Sequence, residues 1–593
     1  MKRISPGLLV VLAAAAAVHL AVALLDFGTL ARNGFLYDDS FYAFQIARNI
    51  ANGAGATFDG IHATNGFQPL YVAVLVPVYW ILGDSPTLPI HVALVFSALL
   101  TVATAYLLYR LIKRHASETA ALISVAAWAF SPIVIRQAAN GLETSLALFC
   151  FAVAVDYYLT RIRVEAAPSR RNFAVLGALL ALAMLSRVDL GFLALVMCLD
   201  YLIFVRRRSR AGAPAIRWRS HMAAAMAACA LIYAPWAIYG LVAVGSPVSE
   251  SGRATRYLGI AYAPFFDLAE VSDHEDGTSA AFMARHVERS LKTLKVTPVV
   301  HPVFRGARKL FARIGAGEQM VNALGAIVLA GFAVWWWRRR RATPNLRELD
   351  FLMLFGLIMI VAYSTYVFGV FFFLRYYYPL VFVAMILAGL LIDDVMAWVR
   401  AHSPAVRRAA LAASGVYASA LLFMGYTSAF RSTPLYPFYD AAKWLNTHTE
   451  ASETIGVFQS GAIGYFSERR VINLDGKVNA EAYAALRAGR LQHPVEALED
   501  LLRLFLVLRQ AVARRRRVDD FTSRFLSRGE EPAARAHAGR VAHAADAERD
   551  RKQRLGGELR GHLQRSIAPK RPESAARIAG LAASRPRSSG CCR

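Results

Sequence analysis

Residues 88–114 read LPIHVALVFSALLTVATAYLLYRLIKR, an apolar run from Leu88 to Ile112 that closes on the basic pair Lys113-Arg114. A helix needs roughly 20 apolar residues to cross a bilayer, and basic residues collect at its cytoplasmic end. Working outward, comparable runs occupy residues 7–30, 118–135, 142–160, 172–186, 188–205, 221–243, 319–337, 350–373, 375–398 and 408–427, which makes eleven candidate spans; a shorter apolar segment lies at 69–82. The whole chain agrees, since 56% of its 593 residues are hydrophobic and 18% charged, with a mean hydropathy of +0.38. That composition excludes an ordinary soluble domain. The expected fold class is a polytopic α-helical membrane protein.

Orientation follows from the basic clusters. Met1-Lys2-Arg3 precedes an apolar stretch, Gly7 to Leu30, that is longer than a signal-peptide core and lacks a small-residue cleavage site, so it reads as an uncleaved first span. If residues 69–82 dip into the interface without crossing, the clusters Lys113-Arg114, Arg161 to Arg171, Arg206 to Arg219, Arg338 to Arg347 and Arg400 to Arg408 all join Lys2 and Arg3 on the cytoplasmic side. If that segment crosses, every cluster is exported. The positive-inside rule favours the first arrangement: a multi-pass protein of the cell inner (plasma) membrane, N-terminus in and everything after about residue 430 out. The formal charge of +26 is spread over these clusters and a basic end, where residues 501–593 hold 22 Lys+Arg against 9 Asp+Glu. Short clusters between spans do not build the basic face of a nucleic-acid module, and that class is excluded. Cys150, Cys198 and Cys229 lie inside apolar runs and Cys591-Cys592 at the end, giving neither a disulfide framework nor a metal site.

This topology gathers the unusual polar residues on one face. Asp156, Asp200, Asp393 and Asp394 fall near inner span ends, where charge is cheap, whereas an ion-coupled carrier places carboxylates at mid-depth. In the outer loop 31–87, Phe41, Phe44, Ala47 and Ala51 recur at helical spacing, predicting a short amphipathic helix lying on the bilayer surface. Asp38 and Asp39 stand at its start. One carboxylate suffices for an N-cap; two held together raise the pKa of one member, and the pair also suits a general base taking a proton from a hydroxyl. Residues 52–71 mix turn formers with aromatics, as an ordered linker or as the wall of a saccharide site in which amides such as Asn65 bond sugar hydroxyls. His62 has no partner at ligand spacing and reads as a loop histidine. Glu143, in the first turn of its span, either complements the helix dipole or meets the acceptor. Arg187 and Asp189 occupy a tight turn, tying two helix ends or offering Arg187 to a lipid phosphate. Arg375 sits at an outer boundary against the positive-inside trend, which points to phosphate, while Tyr376 and its neighbours suit an interfacial aromatic belt.

Beyond residue 430 the texture becomes that of a small α/β unit: Thr454 to Gln459 as a strand, Gly461 to Phe466 as a turn and short helix, Val471 to Leu474 as a second strand. Asp475, at the second strand's end, either serves the turn with Gly476 or faces substrate. After Phe525 no aromatic residue follows, Arg and Ala dominate and apolar periodicity is lost. Such a segment is expected to stay disordered, as a basic tail or as a frame-shifted terminus that truncates the outer domain. The expected division is a transmembrane domain at 1–430 with outer loops 31–87 and 244–318, an extracytoplasmic α/β domain at 431–490, and a basic low-complexity tail at 491–593.

The order of the segments YDDSFYAFQIARNIANGAGATFDGIHATNGFQPLY, NGLETSL, LSRVD, YGLVAVGSPVSESGRA, RYYYPL and AKWLNTHTEASETIGVFQSGAIGYFSERRVINLDGKVN resembles membrane glycosyltransferases of the C-type (GT-C) fold. The resemblance runs over roughly residues 7–490. It is to protein O-mannosyltransferases, lipid A aminoarabinose transferases and actinobacterial arabinofuranosyltransferases. It implies a polyprenyl-phosphate sugar donor, an acidic residue of the first outer loop as catalytic base and basic residues near the outer surface for the donor phosphate, which by position are Asp39 or Asp38, with Arg375 and Arg187; beside these, the residues themselves offer Tyr376 to the donor phosphate and Glu143, Asn65, Asp189 and Asp475 to the sugar or acceptor. Where relatives often carry Arg-Pro-Glu or Arg-Pro-Asp, this chain has Arg187-Val188-Asp189. No cofactor is required beyond the lipid-linked donor and no residue is singled out as a metal ligand, while a divalent cation is neither called for nor excluded; membrane lipids and a saccharide, lipid or protein acceptor are the expected partners. A lipid-linked saccharide flippase or carrier, and a non-catalytic envelope assembly factor, are the competing classes; scarce mid-membrane charge speaks against the carrier and the interfacial carboxylates speak for chemistry.

Overall fold

The structure, a computed structural model, describes residues 5–163, 168–210, 217–261, 318–365, 374–405, 407–409, 412 and 435–488. The helices in the first half are α1 (Pro6–Ala23), α2 (Phe27–Arg32), α3 (Ser40–Ala51), α4 (Pro69–Leu82), α5 (Leu88–Lys113), α6 (Glu118–Ala129), α7 (Pro132–Ala138), α8 (Thr144–Tyr157), α9 (Arg170–Ser186), α10 (Gly191–Arg210), α11 (Trp218–Val244) and α12 (Glu250–Ala261). Then come α13 (Glu318–Ala342), α14 (Asp350–Thr365) and α15 (Tyr378–Ala401). Local chemistry sets their starts. Ser5 accepts the Leu8 amide at 3.2 Å and Pro6 fills a first-turn position that needs no donor. Ser117 and Ser169 cap α6 and α9 in the same way.

Among the described residues, six helical segments are long and apolar enough to cross a membrane: Pro6–Ala23, Leu88–Lys113, Thr144–Ile162, Val188–Arg210, Trp218–Val244 and Arg375–Ala401. A seventh results if α6 and α7, bent by 58° where Pro132 interrupts the amide ladder, count as one broken span. Of the other expected spans, 172–186 forms the 17-residue α9 and 319–337 falls within α13. Helix α14 covers 350–365 of the expected 350–373, whose remaining residues, like almost all of 408–427, lie outside the described residues. Helix α4 has 14 residues, a rise of about 21 Å, short of the ~30 Å hydrocarbon layer. The expected tail at 491–593 and most of loop 244–318 are also outside the described residues.

The spans share a core of large rings, among them Trp128, Phe151, Tyr158, Phe173, Phe355 and Phe382. Phe151 lies 5.1 Å from Phe355 and 6.0 Å from Phe382, centroid to centroid. Val10, Leu231 and Val242 point outward and exposed, which suits lipid and not water. Charged groups occupy the two ends of the bundle. At the end where α5, α8 and α10 finish, Arg110 pairs with Asp156 (3.3 Å), Arg114 with Glu348 (2.6 Å) and Arg163 with Asp200 (3.3 Å). Glu143 stands at the opposite end of α8 from Asp156.

A second core joins α3 and α4 to the C-terminal elements, α16 (Tyr436–His448), β1 (Thr454–Val457), α17 (Gly461–Phe466), β2 (Arg470–Asn473) and α18 (Ala480–Arg487). The strands are parallel, in register from Thr454↔Arg470 to Val457↔Asn473, with α17 as the crossover. Here one expectation is corrected. The Phe41/Phe44 stripe of α3 is fully buried by protein, with Phe41 5.4 Å from Tyr465 and 5.3 Å from Phe466, so it does not rest on the bilayer surface. Periodicity identifies an apolar face without saying what covers it. Two glycines permit the close fit: a Cβ at Gly461 would lie 2.1 Å from the Asp38 carbonyl oxygen, and one at Gly66 would lie 1.9 Å from that of Lys477.

Candidate active site

The Asp38-Asp39 pair enters α3, yet neither carboxylate caps that helix. Asp38 reaches across to α17, where the Ala462 and Gly461 amides donate to it at 2.8 and 3.2 Å. Asp39 turns the other way and accepts from Arg375 at 2.6 Å. Arg375 belongs to the short 3-10 turn Leu374–Tyr377 that leads into α15. On the far side of Asp39 stands Lys477, with Nζ 3.9 Å from Asp39 and 3.1 Å from Asp475.

A second ion cluster meets the Tyr376 ring. The guanidinium of Arg375 is 5.2 Å from that ring's centroid and that of Arg187 is 5.1 Å from it, so two cations share one aromatic. Arg187 in turn donates to Glu143 (2.9 Å) and, through two nitrogens, to Asp189 (3.1 and 2.8 Å); the Tyr363 hydroxyl also donates to Asp189. The structure therefore brings together Asp39, Asp38, Arg375, Tyr376, Arg187, Glu143, Asp189 and Asp475. It does not bring Asn65 among them. That side chain donates to the Ser246 carbonyl (2.8 Å) and accepts the Glu250 amide (2.9 Å), so it secures the turn into α12. His62 bonds Asp59 at 2.6 Å within its own loop.

Environment separates the two neighbouring acids. Burial pushes the Asp38 carboxyl up to about 6; the Ala462 amide opposes this and the adjacent Asp39 charge adds to it. Burial also works against ionising Asp39, but Lys477 and then Arg375 outweigh it and hold that carboxyl at about 2. One member stays charged under all ordinary conditions, while the other sits near the edge of ionisation. Access differs as well. The Asp39 side chain is 28% exposed, against 4% for Asp475, 8% for Glu143 and 11% for Asp189, so Asp39 is the carboxylate of these that a bound molecule reaches most readily.

Two members of the site escape a sequence reading. Lys477 follows the singled-out Asp475-Gly476 turn, and its place beside a turn aspartate was the available signal. Tyr363 lies inside an apolar run, where nothing in the spacing marks it.

The helical bundle has the fold of the C-type membrane glycosyltransferase class. At TM-score 0.50 and 15% identity the chain matches ArnT from Cupriavidus metallidurans in the apo state, over 81% of this chain and 90% of that one. Within that class, residues 78–239 match the family of dolichyl-phosphate-mannose-protein mannosyltransferases. Residues 428–545 match a domain of unknown function, DUF8728. ArnT bound to undecaprenyl phosphate matches at TM-score 0.49 and 15% identity, over 79% of this chain and 86% of that one. The archaeal oligosaccharyltransferase AglB from Archaeoglobus fulgidus, in complex with an inhibitory peptide and a dolichol-phosphate, matches at TM-score 0.48 and 17% identity, over 79% of this chain and 64% of AglB. The chain thus spans less than two thirds of AglB. No curated protein matches in sequence.

Proposed function

We propose that the chain is an inverting glycosyltransferase that moves a hexosyl or pentosyl group from a polyprenyl-phosphate donor to a hydroxyl of a cell-envelope acceptor at the outer membrane face. The observation that carries this reading is the Asp39–Arg375 contact at 2.6 Å, with Arg187 beside the same Tyr376 ring as Arg375. A proton acceptor and two phosphate-seeking cations then share one site. The family matched by residues 78–239 has a dolichyl-phosphate sugar in its name, which agrees with a lipid-phosphate leaving group.

In this reading the acceptor oxygen attacks the anomeric carbon as its proton passes to Asp39. The bond from that carbon to the phosphate oxygen breaks, and the electron pair leaves on the polyprenyl phosphate. Arg375 and Arg187 neutralise the charge that develops there, with the Tyr376 hydroxyl beside them. A carboxylate held at about 2 is a poor base. When Arg375 turns from Asp39 to the donor phosphate, Asp39 loses one cation and its basicity rises, which couples donor binding to activation of the base. Single displacement inverts the anomeric centre. Glu143 and Asp189 hold Arg187 in place and in this reading also accept from a sugar hydroxyl, whereas the bonds of Asn65 and Asp475 favour positioning over sugar contact.

The test is to incubate the purified protein with a panel of radiolabelled polyprenyl-phosphate hexoses and pentoses and with membrane lipids. Label should appear in an acceptor from at least one donor. Failure of every donor, together with movement of a lipid-linked saccharide between leaflets, would favour the carrier.

A further inference from the structure

Lys477 belongs to the C-terminal elements, in a stretch matched by a domain of unknown function, yet it reaches the carboxylate of the first loop. Three observations fix its place. Its ammonium is held by Asp475 at 3.1 Å, its own amide is bonded by the same Asp475 at 3.0 Å, and its carbonyl is pressed against Gly66, where a side chain would not fit. The preceding Gly476 takes a left-handed φ of +73°, a conformation natural to glycine, which turns the chain back toward Asp39. This lysine is therefore built into the site and is not a surface residue that wanders near it.

We propose that Lys477 is a positioning residue by which the C-terminal domain completes the active site: it keeps Asp39 ionised and in place while Arg375 leaves to bind the donor phosphate. The inference rests on the glycosyl-transfer reading above. Asp39 faces Arg375 from the turn before α15, Lys477 from the turn after β2, and the neighbouring Asp38 and Tyr42. Once Arg375 engages phosphate, Asp38, Asp475 and the phosphate surround Asp39 with groups that are anionic or able to become so, and Lys477 still stands against it at 3.9 Å. Without Lys477 the proton affinity of Asp39 would rise further than the departure of Arg375 alone makes it, and the carboxylate would be protonated over a wider acidic range. Burial works against the Lys477 charge, but Asp475 and then Asp39 outweigh it, so the lysine stays protonated.

The experiment uses full-length protein in three forms: wild type, Lys477→Gln and Lys477→Arg. Infrared difference spectra over a pH titration, with Asp39→Asn identifying the Asp39 band, report that carboxyl's protonation without any need for turnover. The expected result is that Lys477→Gln moves the Asp39 titration upward by about one pH unit or more. The acidic limb of kcat for transfer should move with it, donor KM should change little, and Lys477→Arg should restore both. An unmoved Asp39 band in a folded Lys477→Gln protein overturns the proposal. A moved band with an unmoved kcat profile overturns the positioning role of Lys477. In that case full activity of Asp39→Asn would trace the failure to the glycosyl-transfer reading, and loss of activity would trace it to Lys477 alone.

Discussion

Asp38 and Asp39 are adjacent in the chain and opposite in surroundings, one against two backbone amides and the other between two cations. The raised carboxyl of Asp38 has a consequence for stability. Between the ordinary aspartate value of about 4 and about 6 the folded protein holds a proton that the unfolded chain has released, so this group favours folding at low pH and the contribution is lost as pH rises through about 6. Asp39 has the reverse sign, and its contribution is lost only as pH falls through about 2. The thermal midpoint of the purified protein should therefore carry a component that falls from about pH 4 to 6, and Asp38→Asn should flatten it. An unaltered slope in that variant would contradict the assignment. Arg375→Ala should lower kcat/KM for the donor by on the order of 10²-fold, and Arg375→Lys by less because a point charge remains. Equal donor use by Arg375→Ala and wild type would leave the residue a purely structural partner of Asp39.

At the scale of elements, the site depends on α3 and α17 meeting so closely that glycine stands at the contact. In Gly66→Ala the new methyl would have to displace the Lys477 carbonyl, and a shift of about 1 Å there should cost on the order of 10²-fold in transfer. Gly331→Ala, with no atom near the added carbon, serves as control and should be neutral. Equal activity of the two variants would show that the Asp475 to Lys477 turn need not sit where it does. These elements also show what a sequence can disclose. Alternation and turn residues place β1, α17 and β2 within a few residues of where they lie, and the helical spacing of Phe41 and Phe44 finds α3. The cover over that stripe was not legible, because an apolar face reads the same whether lipid or protein lies on it. The partner of Asp38 was hidden for a related reason: it lies more than 400 positions away, at the start of a short helix.

Across the whole molecule, composition and run length alone disclose a membrane-spanning bundle, since they depend on no contact. Which polar residues share a site required the fold, although the sorting of Asp39, Glu143, Arg187 and Arg375 to one face was already present in the positive-inside argument. That orientation is open to direct labelling. Ala54, in the first outer loop, is exposed and suits a reporter. A cysteine there should react with an impermeant thiol reagent in intact cells, over the wild-type background, whereas one at the exposed Ser209 should not. Labelling at Ser209 with protection at Ala54 would reverse the arrangement. The central claim, that Asp39 is the base of a glycosyl transfer, is tested most directly by turnover of Asp39→Asn beside Asp38→Asn at matched protein level, with a polyprenyl-phosphate sugar as donor. The account predicts that Asp39→Asn, unable to accept the proton, falls by roughly 10²-fold or more, while Asp38→Asn keeps most of its activity because an amide oxygen can still accept a backbone N–H. Full activity in both variants and in the double variant would contradict it.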